Sequence, residues 1–255
     1  MDTRDTLRVV YKILGVGLVL YALIRGMTAT LPDLAPLQQS SRNIFYHVPM
    51  WFAMVTLMAI SLYHSIRLLR LLDPELERVE NPLIADAKAR EAALTGVLFN
   101  LLGLVTGIIW SRVSWAEARP ANEFSTWWIW DPIQVCALVA FLIYLAYFLL
   151  RASFAEPEGR AKVAAVYNIF AFAVLIPLFF IVPRYFEGLH PTDGQGSFIF
   201  DKSQISNQFR VILYPGMLGF ILIGIWVYEL RSRLETVRLT HESIQADLEY
   251  SGNND

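Results

Sequence analysis

Six apolar runs of about twenty residues, set between segments that hold most of the charge, leave this chain few ways to fold. They lie at roughly 9–27, 45–69, 94–113, 133–150, 163–183 and 211–230. A helix of ~20 apolar residues crosses ~30 Å of hydrocarbon, so each run is long enough to span a bilayer. Only 17% of the residues are charged and the mean hydropathy is +0.43, where a soluble domain carries about a quarter charged residues. The expected fold is an all-α integral membrane protein with six transmembrane helices in one domain, 1–255. Lys12 and Arg25 stand near the ends of the first run, where long side chains snorkel. That run resembles a signal peptide, with Arg4 and Arg8 before it, but an even number of spans puts both termini on one side, and it is read as retained. Pro177 and Pro215 are expected to kink the last two spans.

Lysine and arginine placement orients these spans. Fourteen of the 21 basic residues fall in the N-terminus, in two alternate loops and in the tail: Arg4, Arg8, Lys12; Arg67, Arg70, Arg78, Lys88, Arg90; Arg151, Arg160, Lys162; Arg231, Arg233, Arg238. By the positive-inside rule both termini are cytoplasmic. The segments 28–44, 114–132 and 184–210 then face outward. The charged inner loop 73–91 reads as partly helical, and the tail 231–255 as a short cytoplasmic helix.

Several function classes drop out early. A net charge of −2 without a basic patch argues against a nucleic-acid partner. The single cysteine, Cys136, sits in an apolar run, and no Cys-x-x-Cys-His occurs, so the chain is not itself a c-type cytochrome. Neither cytoplasmic segment holds a phosphate-binding glycine loop. No catalytic residue is assigned.

The informative residues gather on the outer side. Trp127, Trp128 and Trp130 are three of seven tryptophans, within four residues, followed by Asp131 and the fourth span. One indole at such a place is an interfacial anchor; three beside an acid suit stacking on a flat ligand. Of four histidines, His47 opens span two and His190 lies in the outer loop before span six. His64 falls seventeen residues after His47, near the inner face, and His241 is in the tail; both read as ordinary structural histidines. Imidazoles from His47 and His190 suit the two axial positions of one haem iron, with indoles covering the porphyrin. Two histidines also suit zinc or copper, but no third ligand stands nearby. Haem propionates need cations, and Arg42, Arg112, Arg119 and Arg184 are the outward candidates. Asp131 either orients a tryptophan N–H or caps span four.

With these residues in view, the chain resembles the CcmC-type haem-handling proteins of cytochrome c maturation, a branch of the family with a tryptophan-rich external loop. The resemblance rests on six spans, His47–Val48–Pro49, a histidine between spans five and six, and Trp127–Trp128–Ile129–Trp130–Asp131, which matches the second half of the family's Trp-Gly-x-Trp-Trp-x-Trp-Asp run. Phe124 and Ser125 replace the usual Trp-Gly, and Ile133 stands where relatives often carry an arginine, which shifts the propionate contact toward Arg112 or Arg119. The resemblance implies that haem b binds at the outer face of a bacterial cytoplasmic membrane and passes to a membrane-tethered CcmE-type chaperone. The implied partners are ABC transporter subunits of CcmA and CcmB type and a small single-span CcmD-type subunit. It makes His47 and His190 axial ligands and Trp127, Trp128, Trp130 and Asp131 the haem platform, with Trp115, Phe124, Arg112, Arg119 and Arg184 as further contacts. The competing readings are a larger haem lyase, a b-type or quinone-binding electron carrier, and a solute permease. The first lacks its extra histidines here, the second needs histidine pairs deep in the membrane, and the third needs polar groups at mid-membrane, where Asn100 and Asn168 read as helix–helix hydrogen bonds.

Overall fold

A computed structural model describes residues 3–32, 38–73, 75, 81–115, 127–186, 190 and 205–252. In order, these form α1 (Thr3–Thr28), a 3-10 turn (Gln38–Asn43) that runs into α2 (Ile44–Leu71), α3 (Pro82–Ser114), α4 (Pro132–Ala152) and α5 (Pro157–Ile176). A π-helical turn (Pro177–Ile181), the short α6 (Val182–Tyr185) and the long α7 (Asn207–Gly252) complete the chain. Six segments are long and apolar enough to cross a membrane, and no strand occurs among the described residues. The chain is an all-α, multi-pass membrane protein.

Three of the crossing helices begin the same way, with a polar residue followed by proline: Asn81–Pro82, Asp131–Pro132 and Glu156–Pro157. Proline at the first helical position has its φ preset and wastes no N–H. The residue before it stays extended, and its side chain takes the orphan N–H groups of the first turn. Asn81 Oδ1 accepts from Leu83 N at 2.9 Å, Asp131 Oδ1 from Ile133 N and Gln134 N at 3.0 and 3.2 Å, and Glu156 from Glu158 N and Gly159 N.

Helix α2 is the hub, packed on α3, α5 and α7. Its antiparallel contact with α3 is a register of large residues against glycines. A Cβ on Gly96 would come within 2.8 Å of Met58, one on Gly103 within 2.8 Å of Trp51, and one on Gly107 within 2.8 Å of His47. Small residues let membrane helices approach closely where no hydrophobic drive separates lipid from protein. The same device fixes α1, whose Gly15 and Ala22 meet Leu222 and Gly216 of α7. The other face of α1, including Ile13, Leu20 and Ile24, is exposed as a lipid-facing surface.

The two ends of the bundle carry different polar groups. At one end Arg151 of α4 forms a bidentate pair with Asp86 of α3, at 2.6 and 2.6 Å, both residues buried. Beside it, buried Glu91 accepts from Arg90 Nε at 2.8 Å and from Arg231 Nε of α7 at 2.7 Å, while Arg90 also reaches Glu235 at 3.1 Å. Both α1 and α7 have their free ends on this side. The opposite end holds His47 and Asp131.

Several sequence boundaries shift. Helix α3 starts at Pro82, twelve residues before the apolar run, because Asp86 and Glu91 are neutralised by arginines of other helices and fit inside the bundle. The tail is not a separate short helix: α7 continues unbroken through Gly252, held by Glu235–Arg90 and by the i,i+4 pairs Glu229–Arg233 and Arg238–Glu242. At 46 residues it is about 70 Å long, roughly twice the hydrocarbon thickness. Pro177 marks the change from α- to π-helical turns, whereas Pro215 sits within continuous α7. Asn168 donates to Ser61 and Ser65 of α2 at 2.7 Å each, as a helix–helix contact should. Asn100 does not: it is fully buried and neither side-chain polar atom has a partner among the described residues.

Candidate functional site

At the end away from the arginines, a narrow crevice is lined by His47, Gly107, Trp110, Ser111, Ser114, Trp115 and His190. Three chain segments build it. The N-terminal turn of α2 brings His47, the last two turns of α3 bring the glycine, the serines and the indoles, and the segment between α6 and α7 brings His190. Trp110 meets the His47 ring edge-on with centroids 5.6 Å apart, and Trp115 meets His190 likewise at 4.9 Å. Trp110 Nε1 donates to Ser40 Oγ at 3.4 Å and Ser40 shares a 2.9 Å hydroxyl contact with Ser114, so the turn before α2 is tied to the crevice wall.

The two imidazoles are held differently. His190 Nδ1 lies 2.7 Å from Asp131 Oδ1, the same oxygen that caps α4. A carboxylate accepts only, so Nδ1 carries a proton, and in the neutral ring the Nε2 lone pair is left for a ligand. This is the carboxylate–histidine arrangement that orients histidine ligands of metals. Asp131 therefore does cap span four, and it also orients an imidazole. His47, 7% exposed, has both nitrogens engaged. Trp51 Nε1–H, one helical turn on, donates to Nε2 at 3.1 Å, and Nδ1 lies 3.1 Å from Thr106 Oγ1. An indole N–H is only a donor, so Nε2 is unprotonated and Nδ1–H donates to Thr106. The Thr106 hydroxyl in turn donates to backbone carbonyls of Leu102 and Gly103, at 2.8 and 3.0 Å.

The other expected residues fall around this crevice. Trp127 and Trp130 are 58% and 80% exposed, outside its walls; Trp127 stacks under the Arg112 guanidinium at 4.5 Å, and Trp128 meets Trp130 edge-on at 6.0 Å. The indoles that line the cavity are Trp110 and Trp115, of which the sequence reading named only Trp115. Trp128 Nε1 is buried without a partner among the described residues. Arg112 is thus the expected cation that stands beside the aromatic surface. Arg42 instead turns back to the C-terminal end of α1, with Nη1 donating to Gly26 O at 2.8 Å and Ala29 O at 3.1 Å. Arg119 and Phe124, and the side chain of Arg184, lie outside the described residues.

Trp51, Thr106, Gly107, Trp110, Ser111 and Ser114 escaped the sequence reading. A signal was present: His47 and Trp51, Gly103 and Gly107, and Thr106 and Trp110 are each spaced by four, so each pair shares a helix face. Among the described residues no group of three or more His, Cys, Asp or Glu is placed to hold a bare metal ion. Two imidazoles and two indoles lining one crevice, with a further indole and a guanidinium beside it, fit a flat metalloporphyrin better than a lone ion.

The comparisons agree on a family. A family model described as CcmC, heme exporter protein C, matches residues 1–247. The heme exporter protein C of Paracoccus denitrificans is 28% identical over 195 residues, covering 76% of this chain and 73% of the relative. That of Haemophilus influenzae is 30% identical over 145 residues, covering 56% and 53%. A cytochrome c biogenesis protein CcsA of Prochlorococcus marinus is 32% identical over 85 residues, covering 33% of this chain and 24% of its own length.

Proposed function

The chain belongs to the heme exporter protein C (CcmC) family, and from that premise we propose that it handles haem as cargo for cytochrome c biogenesis, at the crevice between α2 and α3. The observation that carries this reading is the placement of His47 and His190, 143 positions apart in sequence, on one crevice walled by indoles. His190, tautomer fixed by Asp131, presents a lone pair to iron; His47 supplies the second axial position. Arg112, on the rim, is the cation for a propionate, and exposed Trp127 and Trp130 offer an edge of aromatic surface where haem and its receiver meet. With termini in the cytoplasm, as the basic loops demand, this end of the bundle faces the periplasm. Receiver and company follow the family: a CcmE-type chaperone, CcmA- and CcmB-type transporter subunits and a CcmD-type subunit.

The crevice is too narrow to enclose a porphyrin, so haem bound there would stay largely accessible, which suits hand-over better than storage. The electron-carrier alternative gains nothing from the structure. His64 on α2 hydrogen-bonds Tyr228 of α7 at 2.8 Å, a contact that ties two helices together.

The test is the visible spectrum of detergent-purified protein loaded with haem, for wild type, His47→Ala and His190→Ala. A bis-histidine spectrum in wild type, converted in each variant, is the expected result. Identical spectra in all three would remove both ligands, and absence of haem from wild type would remove the site.

A further inference from the structure

Trp51 lies outside the crevice, yet it controls the atom the crevice needs. Its N–H occupies the Nε2 lone pair of His47 at 3.1 Å, and Nδ1 carries the proton given to Thr106, so neither nitrogen of His47 is free for iron. His190 is the opposite case, its Nδ1 spent on Asp131 and its Nε2 turned to no partner among the described residues. The Trp51 contact is built, because Gly103 is the seat of its indole, and a Cβ there would strike the ring at 2.8 Å. The next small residue on that face, Gly107, seats His47 itself. The far side of Trp51 leans on Phe179, 5.4 Å away, in the π-helical turn Pro177–Ile181. A π turn interrupts the regular helical ladder there, a feature frequent at functional sites.

We propose that Trp51 is a latch on His47: the indole N–H withholds the ligating lone pair, so His190 engages haem iron first and His47 only when the Trp51–His47 hydrogen bond opens. The inference rests on the reading of the crevice as a haem site. One N–H···N hydrogen bond breaks and one Nε2–iron bond forms, and no proton leaves because Nε2 is already unprotonated. Re-closing of the same bond assists release, which makes Trp51 a positioning residue for hand-over.

The experiment is haem titration and haem loss to a scavenging apoprotein for wild type, Trp51→Phe, His47→Ala and the double variant, in detergent. Trp51→Phe keeps an aromatic ring and deletes the donor; its expected effect is roughly two- to ten-fold tighter binding and slower loss, the net worth of one neutral hydrogen bond. The gain should vanish in the His47→Ala background, since the coupling exists only through His47. A packing role predicts the reverse sign, because a smaller ring loosens the Gly103 seat and weakens binding. Unchanged or weaker binding by Trp51→Phe, or a gain that persists without His47, overturns the latch while leaving the haem site standing if His47→Ala still converts the spectrum. Should wild type and His47→Ala give identical spectra, the latch falls with the ligand. Trp51→Leu carries the same expectation and covers the case in which the phenylalanine variant does not fold.

Discussion

The two ends of this bundle solve the problem of buried polar groups in opposite ways. At the arginine end each buried acid meets a full charge: Asp86 a bidentate guanidinium, Glu91 two arginines. At the histidine end the partners are mostly neutral: indole to imidazole, imidazole to hydroxyl, hydroxyl to carbonyl, with one carboxylate at its edge. Stripping a buried charge of its partner costs several kcal/mol, whereas a neutral hydrogen bond nets about 1 kcal/mol. One end is thereby clamped. Charge pairs hold the architecture, and in the proposed latch it is a neutral pair that exchanges.

The comparison breaks most visibly at Arg151. Replacing it with Met strands Asp86 among buried neighbours and should lower stability by roughly 3–5 kcal/mol, read as the thermal midpoint in detergent. Adding Asp86→Leu should recover most of that loss, because no uncompensated charge is left. Haem affinity should follow stability only through the folded fraction.

At the other end the largest mechanical change is Gly107→Ala. Its Cβ would lie 2.8 Å from His47 Cε1, and the ring is pinned at both nitrogens. Overpacking, less the better helix propensity of alanine, should leave a net loss of about 2 kcal/mol, together with an altered haem spectrum. An unaltered spectrum would mean that His47 does not reach the iron.

Asp131 separates its two jobs. Asp131→Ala removes the cap and the His190 partner; it should cost about 1 kcal/mol in unfolding and weaken haem binding by roughly 10–100-fold. Asp131→Asn retains a good cap, so its stability should stay near wild type. Its binding should drop by less than that of the alanine variant, since a neutral acceptor holds the imidazole N–H about half as strongly. Equal haem affinity in all three proteins would show that the Asp131–His190 contact is structural only. Smallest of all is Gly17→Ala on the lipid face of α1, where a Cβ meets nothing within 4 Å. A gain of about 0.5–1 kcal/mol from helix propensity is expected, with no change in haem binding.

Much of the frame was legible in the chain. Six spans, their alternation, the basic loops and the clustering of His47, His190 and the tryptophan run at one face follow from which residues prefer hydrocarbon, water or the interface between them. The caps are legible too: Asn81–Pro82 and Glu156–Pro157 carry the same polar–proline signal as Asp131–Pro132. Hydropathy failed at the start of α3 and the end of α7. There it scored Asp86, Glu91 and Glu235 as loop-like charges, unaware of the arginines facing them from other helices.

Single residues and their immediate neighbours thus set the transfer free energies, the helix starts and the side on which chemistry gathers. Partnership across the chain comes from packing. Asp86 finds Arg151, Asp131 finds His190, and Trp110 rather than the exposed Trp127 and Trp130 walls the crevice. Even Trp51, four residues from His47, reaches its nitrogen only because Gly103 of another helix leaves room for the ring. The reason is physical. Preference for lipid or water belongs to a residue, but a hydrogen bond belongs to a pair, and packing chooses the pair.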